Sequence, residues 1–339
     1  MRNATRIVFN QYLEQQAKLN GVNSAVQKFD IEPSIQQRLE DRIQESSAFL
    51  QTINVVPVTE QQGEVLGLGI SGAIASRTNT RNGNPRQPKL VGNVNRLNRY
   101  KCVQTNFDTG IRYEQLDLWA RYPDFQNRIR DMVVNQQALD RILIGWHGKR
   151  VEDDTDPVTF PMRDDVNEGW LEKIRNNAPE HWMFEGGVAG SGDKIKIGGS
   201  GDYRNLDALV VDAVNNLIDP LYSSNPNLVC LVGRNLMNDK TFPLVNDVDK
   251  PTEILAAQAL LGQSRLGGLP PVRVPYFPDN AILITTLDNL SIYWQEGARR
   301  RSVVEEANLD RVVNYDSSND AYVIENYDAL CFIENIELL

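Results

Sequence analysis

Histidine and cysteine are scarce in this chain of 339 residues, and that scarcity removes most catalytic and metal chemistries at the outset. The two histidines, His147 and His181, stand in neither H-x-x-x-H nor H-E-x-x-H spacing, so a zincin-type centre is not encoded. The three cysteines, Cys102, Cys230 and Cys331, are odd in number and form no C-x-x-C pair. This disfavours a disulfide framework and a zinc ribbon, and fits a reducing cytoplasm. No G-x-S-x-G elbow and no Walker loop occur, and Glu152–Asp156 is acidic without the glycine and glutamate positions of a calcium loop. No apolar run approaches the roughly 20 residues of a membrane span, and the N-terminus carries no signal-like stretch. We expect no cofactor, no metal and no enzyme.

Charge of one sign is also missing over long stretches. The net charge of −10 argues against a surface that coats nucleic acid. Between Val65 and Phe107 there is no Asp or Glu, while Arg77, Arg81, Arg86, Lys89, Arg96, Arg99 and Lys101 are all positive. From Ser302 onward, Glu305, Glu306, Asp310, Asp316, Asp320, Glu325, Asp328, Glu334 and Glu337 face only Arg311. A basic segment and an acidic one are therefore candidates to meet, within one copy or between copies. Arg299–Arg301, followed closely by Glu305 and Glu306, reads as a salt-bridged surface.

The stretch GEVLGLGISGAIAS holds Gly67, Gly69 and Gly72 in G-x-G-x-x-G order. A dinucleotide site needs a helix to open there and an acidic residue about 20 positions on. Pro85 and Pro88 forbid the helix, and the first carboxylate is the distant Asp108. The better reading is an extended, basic, two-stranded arm, with Tyr100–Thr105 as the returning strand. Such an arm has too little core to stand alone and must lie on another surface.

What is present is a mixed pattern with two or three structural units. Residues 1–30 read as a short helix with Phe9, Leu13 and Ala17 on one face. A helix from Pro33 has Ser34 as cap and Ile35, Leu39 and Ile43 as its stripe. Pro123–Trp146 is the strongest helix, with Phe125, Ile129, Met132, Leu139, Leu143 and Trp146 at near-heptad spacing. Further helices are read at 166–177, 206–218 and 253–261. Strands are read at 53–58, 228–232, 272–274, 281–284, 290–294, 311–313, 322–324 and 331–333. Lys194–Ile197, among glycines, reads as an exposed hairpin.

In order along the chain, QESSAFL (44–50), INVVPV (53–58), GLGISGAIAS (67–76), RQPK (86–89), IRYEQLDLWARYPDFQNRIR (111–130), GWLEKIRNNAP (169–179), GDYRNLDALVVDAVNNLI (201–218), VRVPYFP (272–278) and LDRVVNY (309–315) closely resemble the major capsid proteins of peduovirus-type tailed phages. The resemblance implies an α+β, Hong Kong 97-like capsid fold. It implies an N-terminal arm (1–56, with 1–30 scaffold-related and removable), an extended loop (57–112) and a peripheral domain (113–204, spine helix 123–146). An axial domain (205–295) and the rest of the peripheral domain (296–339) follow. It further implies self-assembly into pentamers and hexamers of an icosahedral, DNA-filled head, with a scaffold, a maturation protease and a portal as partners, assembled in the bacterial cytoplasm without a membrane.

On that plan Arg77, Arg81, Arg86, Lys89, Arg96 and Arg99 contact a neighbouring subunit, and Glu305 and Glu306 are candidate receivers. The change of character at Lys28, Phe29, Asp30 and Ile31 marks a candidate processing region. Nothing identifies a partner for a Lys–Asn crosslink from Lys89 or Lys101, so none is expected. An encapsulin-like nanocompartment with the same fold, and a dinucleotide-binding oxidoreductase, are the rival readings.

Overall fold

The computed structural model describes residues 1–65, 75, 77–78, 80, 85–86, 88, 99–119, 122, 125–187, 194–237 and 265–339. The glycines at 67, 69 and 72, the helix read at 253–261, and Arg81, Lys89, Arg96 and Pro123 lie outside these residues. The chain divides into two compact units, Met1–Gln62 with Lys101–Glu172 and Ser291–Val323, and Gly63–Tyr100 with Lys173–Leu290 and Ile324–Leu339.

The first unit is built on Arg311–Ile324, a single 14-residue strand where two short strands are expected from sequence. The Asn314–Asn319 stretch interrupts the apolar pattern, but it stays in the ladder because every residue there has a strand partner. On one side Arg300–Glu306 pairs antiparallel, with Val303 opposite Asn314. On the other, Thr109–Arg112 and Val103–Asn106 pair with its two halves. Leu290–Gln295 also adjoins it in the sheet, and itself carries Asn54–Val58 in parallel, with Ile292 opposite Val55. Phe29–Asp30 closes the other edge against Arg300–Arg301.

Among the described residues, four α-helices lie within this unit: α1 (Asn3–Leu19), α2 (Pro33–Glu45), α3 (Tyr113–Trp119) and α4 (Phe125–His147). In α2 the cap is Glu32, not Ser34, because Pro33 occupies the first helical position, where its missing N–H costs nothing. Its inward face is Gln36, Glu40 and Ile43, while Ile35 and Leu39 are only half-buried.

The long helix α4 is rotated from the expected stripe in the same way. Val134, Gln137, Ala138, Arg141 and Ile142 are buried, Leu139 and Leu143 are half-buried, and Met132 is exposed. In both helices a polar residue takes the central inward position because its partners wait there. Near the end of α4, Trp146 meets Phe49 at a ring separation of 5.5 Å and Trp170 at 4.8 Å, and Trp170 meets Tyr322 edge-on at 5.2 Å. The Trp170 indole donates to the Ser291 carbonyl at 3.1 Å, so the buried ring loses no hydrogen bond.

The chain passes from the first unit to the second within α5 (Trp170–Asn177). The second unit holds a five-stranded sheet in the order Pro271–Val272, Val229–Val232, Ile282–Thr285, Cys331–Ile333, Trp182–Met183. Against it packs α6 (Leu206–Leu217), capped by the Asn205 side chain, which accepts from the Ala208 N–H at 2.9 Å. Leu209, Val210 and Ala213 of α6 share a core with Cys230, Ile282, Ile284 and Cys331.

The glycine-flanked segment is not an exposed hairpin. Ile195–Ile197 pairs in parallel with Ile336–Leu338, and Ile195 and Ile197 are buried in that same core. Its alternating Ile–Lys–Ile pattern is a strand's, but the partner lies about 140 residues downstream, a pairing no local pattern reveals.

Candidate subunit-contact surface

The most concentrated polar chemistry of the first unit is interior. Arg299 is fully buried and reaches Glu40 at 2.7 Å and both oxygens of Asp316, at 3.0 and 2.8 Å. Arg141, also buried, pairs with Glu40 and lies 3.0 Å from Asp320. Gln137 accepts from Arg299 at 3.0 Å and donates to Asp316 at 3.2 Å. Burial alone would raise the Glu40 carboxyl, but Arg141 and Arg299 hold it below its ordinary value. Burial wins at Asp320, whose carboxyl is raised despite Arg141. Three carboxylates face two guanidiniums, so raising one of them reduces the uncompensated charge. The Arg299–Arg301 run is therefore no salt-bridged surface at its first member. Sequence offered one faint signal, that Glu40 and Arg141 each adjoin an apolar residue, Leu39 and Ile142, on an amphipathic helix.

The second constellation joins the N-terminal helix to the sheet. Arg6 of α1 makes a bidentate contact with Glu305, and Tyr113 of α3 donates to the same carboxylate at 2.6 Å. Hydrogen bonds from Arg6 and then Tyr113 pull the Glu305 carboxyl down to about 2, and the bond to Glu305 pushes the Tyr113 phenol up to about 12. One turn beyond Arg6, Phe9 is buried with Leu116, Val303 and Val312. The Arg2 N–H reaches Asp117 at 2.9 Å, and Arg301 donates to Tyr12 at 3.1 Å. A cavity of about 280 Å³ lies beside Phe9, with α1 on one wall and Ile111, Val303, Val312 and Val134 among the others.

Sequence placed Glu305 and Glu306 as receivers of the basic arm. In the structure both have partners inside the chain: Glu305 as above, and Glu306 with Arg311 at 2.6 Å and Tyr315 at 3.0 Å. Of the arm cations, Arg77 and Arg86 are exposed, and Arg99 lies 3.6 Å from Glu64. Gln62–Glu64 and Arg99–Lys101 form a two-stranded ribbon at the arm's base. In the candidate processing region, Phe29 and Ile31 are buried, whereas Lys28 and Asp30 are exposed, with Asp30 3.1 Å from Arg300. Val26–Lys28 is an exposed stretch between buried Ala25 and Phe29. His181 is buried, with Nδ1 against the Leu217 carbonyl. Among the described residues, no group of three His, Cys, Asp or Glu is placed to hold a metal, and no helix is long and apolar enough to cross a membrane.

The capsid subunit of an empty gene transfer agent particle, 17% identical and covering 86% of this chain, superimposes with a TM-score of 0.50, which establishes the Hong Kong 97-like capsid fold. A chain of the satellite phage P4 procapsid that includes the size determination (Sid) protein matches far more closely, with a TM-score of 0.84, 46% identity and 100% and 99% of the two chains covered.

The family model described as phage major capsid protein, P2 family, matches residues 8–336, and the chain belongs to that family. It is 49% identical to the capsid protein of Escherichia phage P2, over 100% of this chain and 96% of that one. It is 40% identical to the major capsid protein of Serratia phage KSP20, over 99% and 97%. Its function is that of a phage major capsid protein.

Proposed function

We propose that the chain assembles as pentamers and hexamers into an icosahedral head that encloses double-stranded DNA, passing through a scaffolded procapsid, and that it carries no catalytic activity of its own. The observation that supports this most strongly is the end-to-end likeness to a procapsid subunit at a TM-score of 0.84. In this reading 57–112 is the extended loop, 113–204 and 296–339 the peripheral domain with α4 as spine, and 205–295 the axial domain. The arm's arginines and lysines lie on a neighbouring copy, and residues up to about Lys28–Ile31 are removed by a maturation protease. The exposed Val26–Lys28 stretch supports that last point, because a protease needs an accessible, extended substrate. A portal vertex and a scaffold are the remaining partners, and the site of assembly is the bacterial cytoplasm.

Expression of the chain with and without a scaffold, followed by electron microscopy, tests the assembly. Closed shells with five- and six-fold capsomers are expected, and discrete soluble oligomers under all conditions would overturn the reading. Nucleic-acid content of native particles separates a DNA-filled head from a shell around protein cargo, and intact-mass measurement on mature particles reads the processing directly.

A further inference from the structure

The N-terminal helix occupies its seat the way a ligand occupies a receptor. Arg6 and Phe9, three residues apart and therefore on one face of α1, deliver a guanidinium to Glu305 and a ring to the Leu116, Val303 and Val312 pocket. Tyr113 donates to the same carboxylate and so orients it. The fit is specific at these two points, Arg2 and Tyr12 add one hydrogen bond each, and the rest of the helix is little buried. Only Thr5, Phe9 and Ala17 of the 17 residues are buried, and the 280 Å³ cavity lies beside the ring. A segment held so lightly stays in place largely because the chain tethers it, which keeps its effective concentration high.

We infer that α1 is an internal stand-in, and that the seat it leaves, Glu305 with the adjacent apolar pocket, receives the basic arm of a second copy of this chain. The inference rests on the proposed removal of residues up to about 28–31. Charge complementarity selects the occupant. Residues 65–107 carry seven cations and no carboxylate, with Ile74 three residues before Arg77 and Leu97 next to Arg96 to supply the apolar half. Glu306 keeps Arg311 when α1 goes, whereas Glu305 loses Arg6 and Asp117 loses the Arg2 N–H. The departure of Arg6 therefore leaves Glu305, 26% exposed even with the helix seated and still bonded to Tyr113, without its cation, and a second guanidinium restores the bidentate pair. Shell contacts are thereby ordered in time, because the arm's receptor is closed until the N-terminus has gone.

The test uses the full chain with a sequence-specific protease site placed in the exposed Val26–Lys28 stretch, and a fluorescent synthetic peptide of residues 74–101 as probe. After the cut, the N-terminal fragment is expected to separate by size exclusion. The peptide is expected to bind the remaining body about tenfold more tightly than it binds the uncut chain, an advantage that Glu305→Gln removes. In the uncut chain, Arg6→Ala with Phe9→Ala unseats the helix and is expected to raise peptide affinity in the same direction. Retention of the fragment, equal binding before and after the cut, no binding at all, or indifference to Glu305→Gln would each overturn the inference. Full-length subunits in native mature particles would instead overturn the natural removal, while leaving the engineered-cut result to stand.

Discussion

Arg299 and Glu40, 259 residues apart in sequence, meet at 2.7 Å with neither side chain more than 2% exposed. The pair fastens α2 to the sheet, and Asp316 and Arg141 extend it in both directions. Removing one partner of such a pair leaves an unpaired charge in a dry place, a loss of about 3–5 kcal/mol. Arg299→Met is therefore expected to lower the unfolding free energy of the unassembled chain, read by urea titration, by that amount. Arg299→Lys should recover only part of it, because an ammonium cannot chelate Asp316 while also reaching Glu40. A Met variant as stable as the parent would show the network to be dispensable.

A second expectation concerns Gly145, where α4 crosses Trp170. A Cβ at this position would sit 2.3 Å from the Trp170 ring, closer than any non-bonded carbon tolerates, and that ring is wedged among Trp146, Phe49 and Tyr322. Alanine normally improves a helix interior by up to about 1 kcal/mol over glycine. Here Gly145→Ala is expected to destabilise by about 1–3 kcal/mol through overpacking. Calorimetry reads the sign, and a raised melting temperature would contradict the crossing geometry.

These two positions also show what sequence could and could not reveal. The long helix and the strands at 54–58, 229–232, 282–285 and 290–295 are legible because hydrophobic period is a local property, whereas Arg300–Glu306, read as a charged surface, is a paired strand. The rotation of α2 and α4 is not legible, since Gln36, Glu40, Gln137 and Arg141 look like solvent-facing residues until Arg299, Asp316 and Asp320 arrive from far downstream. Polar residues count as exposed in any pattern, so a buried ion network is misread as the outer face. The Ile195–Ile197 strand was obscured for a related reason, its partner being the C-terminal strand. Conversely, the glycine fingerprint at 67–72 suggested chemistry only while its surroundings were ignored.

The Arg6–Glu305–Tyr113 triad should make the seating of α1 dependent on pH at both ends. Glu305 is depressed from 4.5 to about 2, so its contribution is present above 4.5 and is lost as pH falls toward 2. Tyr113 is raised from 10 to about 12, so its contribution is present below 10 and is lost as pH rises toward 12. Cys102, Cys230 and Cys331 are all buried, which allows a dye to be placed selectively at exposed Gln11 through Gln11→Cys. Dye anisotropy is expected to fall between pH 4.5 and 2 while the bulk circular dichroism still reports a folded chain. Glu305→Gln should abolish that step, and a step that persists in it would assign the transition to another group.

The arm itself supplies the last expectation. An exposed ion pair contributes only about 0–1 kcal/mol, too little for one arginine to decide assembly. A closed shell repeats the contact in every subunit, however, so small terms accumulate and a reversed sign is repeated as repulsion. Arg77 and Arg86 are exposed and available for such contacts. Reversal of Arg77, Arg81 and Arg86 to Glu is expected to leave the subunit folded, with unchanged circular dichroism, and to prevent closed shells in electron micrographs. Single reversals should still assemble, but at lower salt tolerance than the parent if apolar burial drives association and charge sets register, since a Debye length of about 10 Å at 0.1 M screens exposed pairs first. Normal shells from the triple variant would mean that the basic arm is not held by its charge.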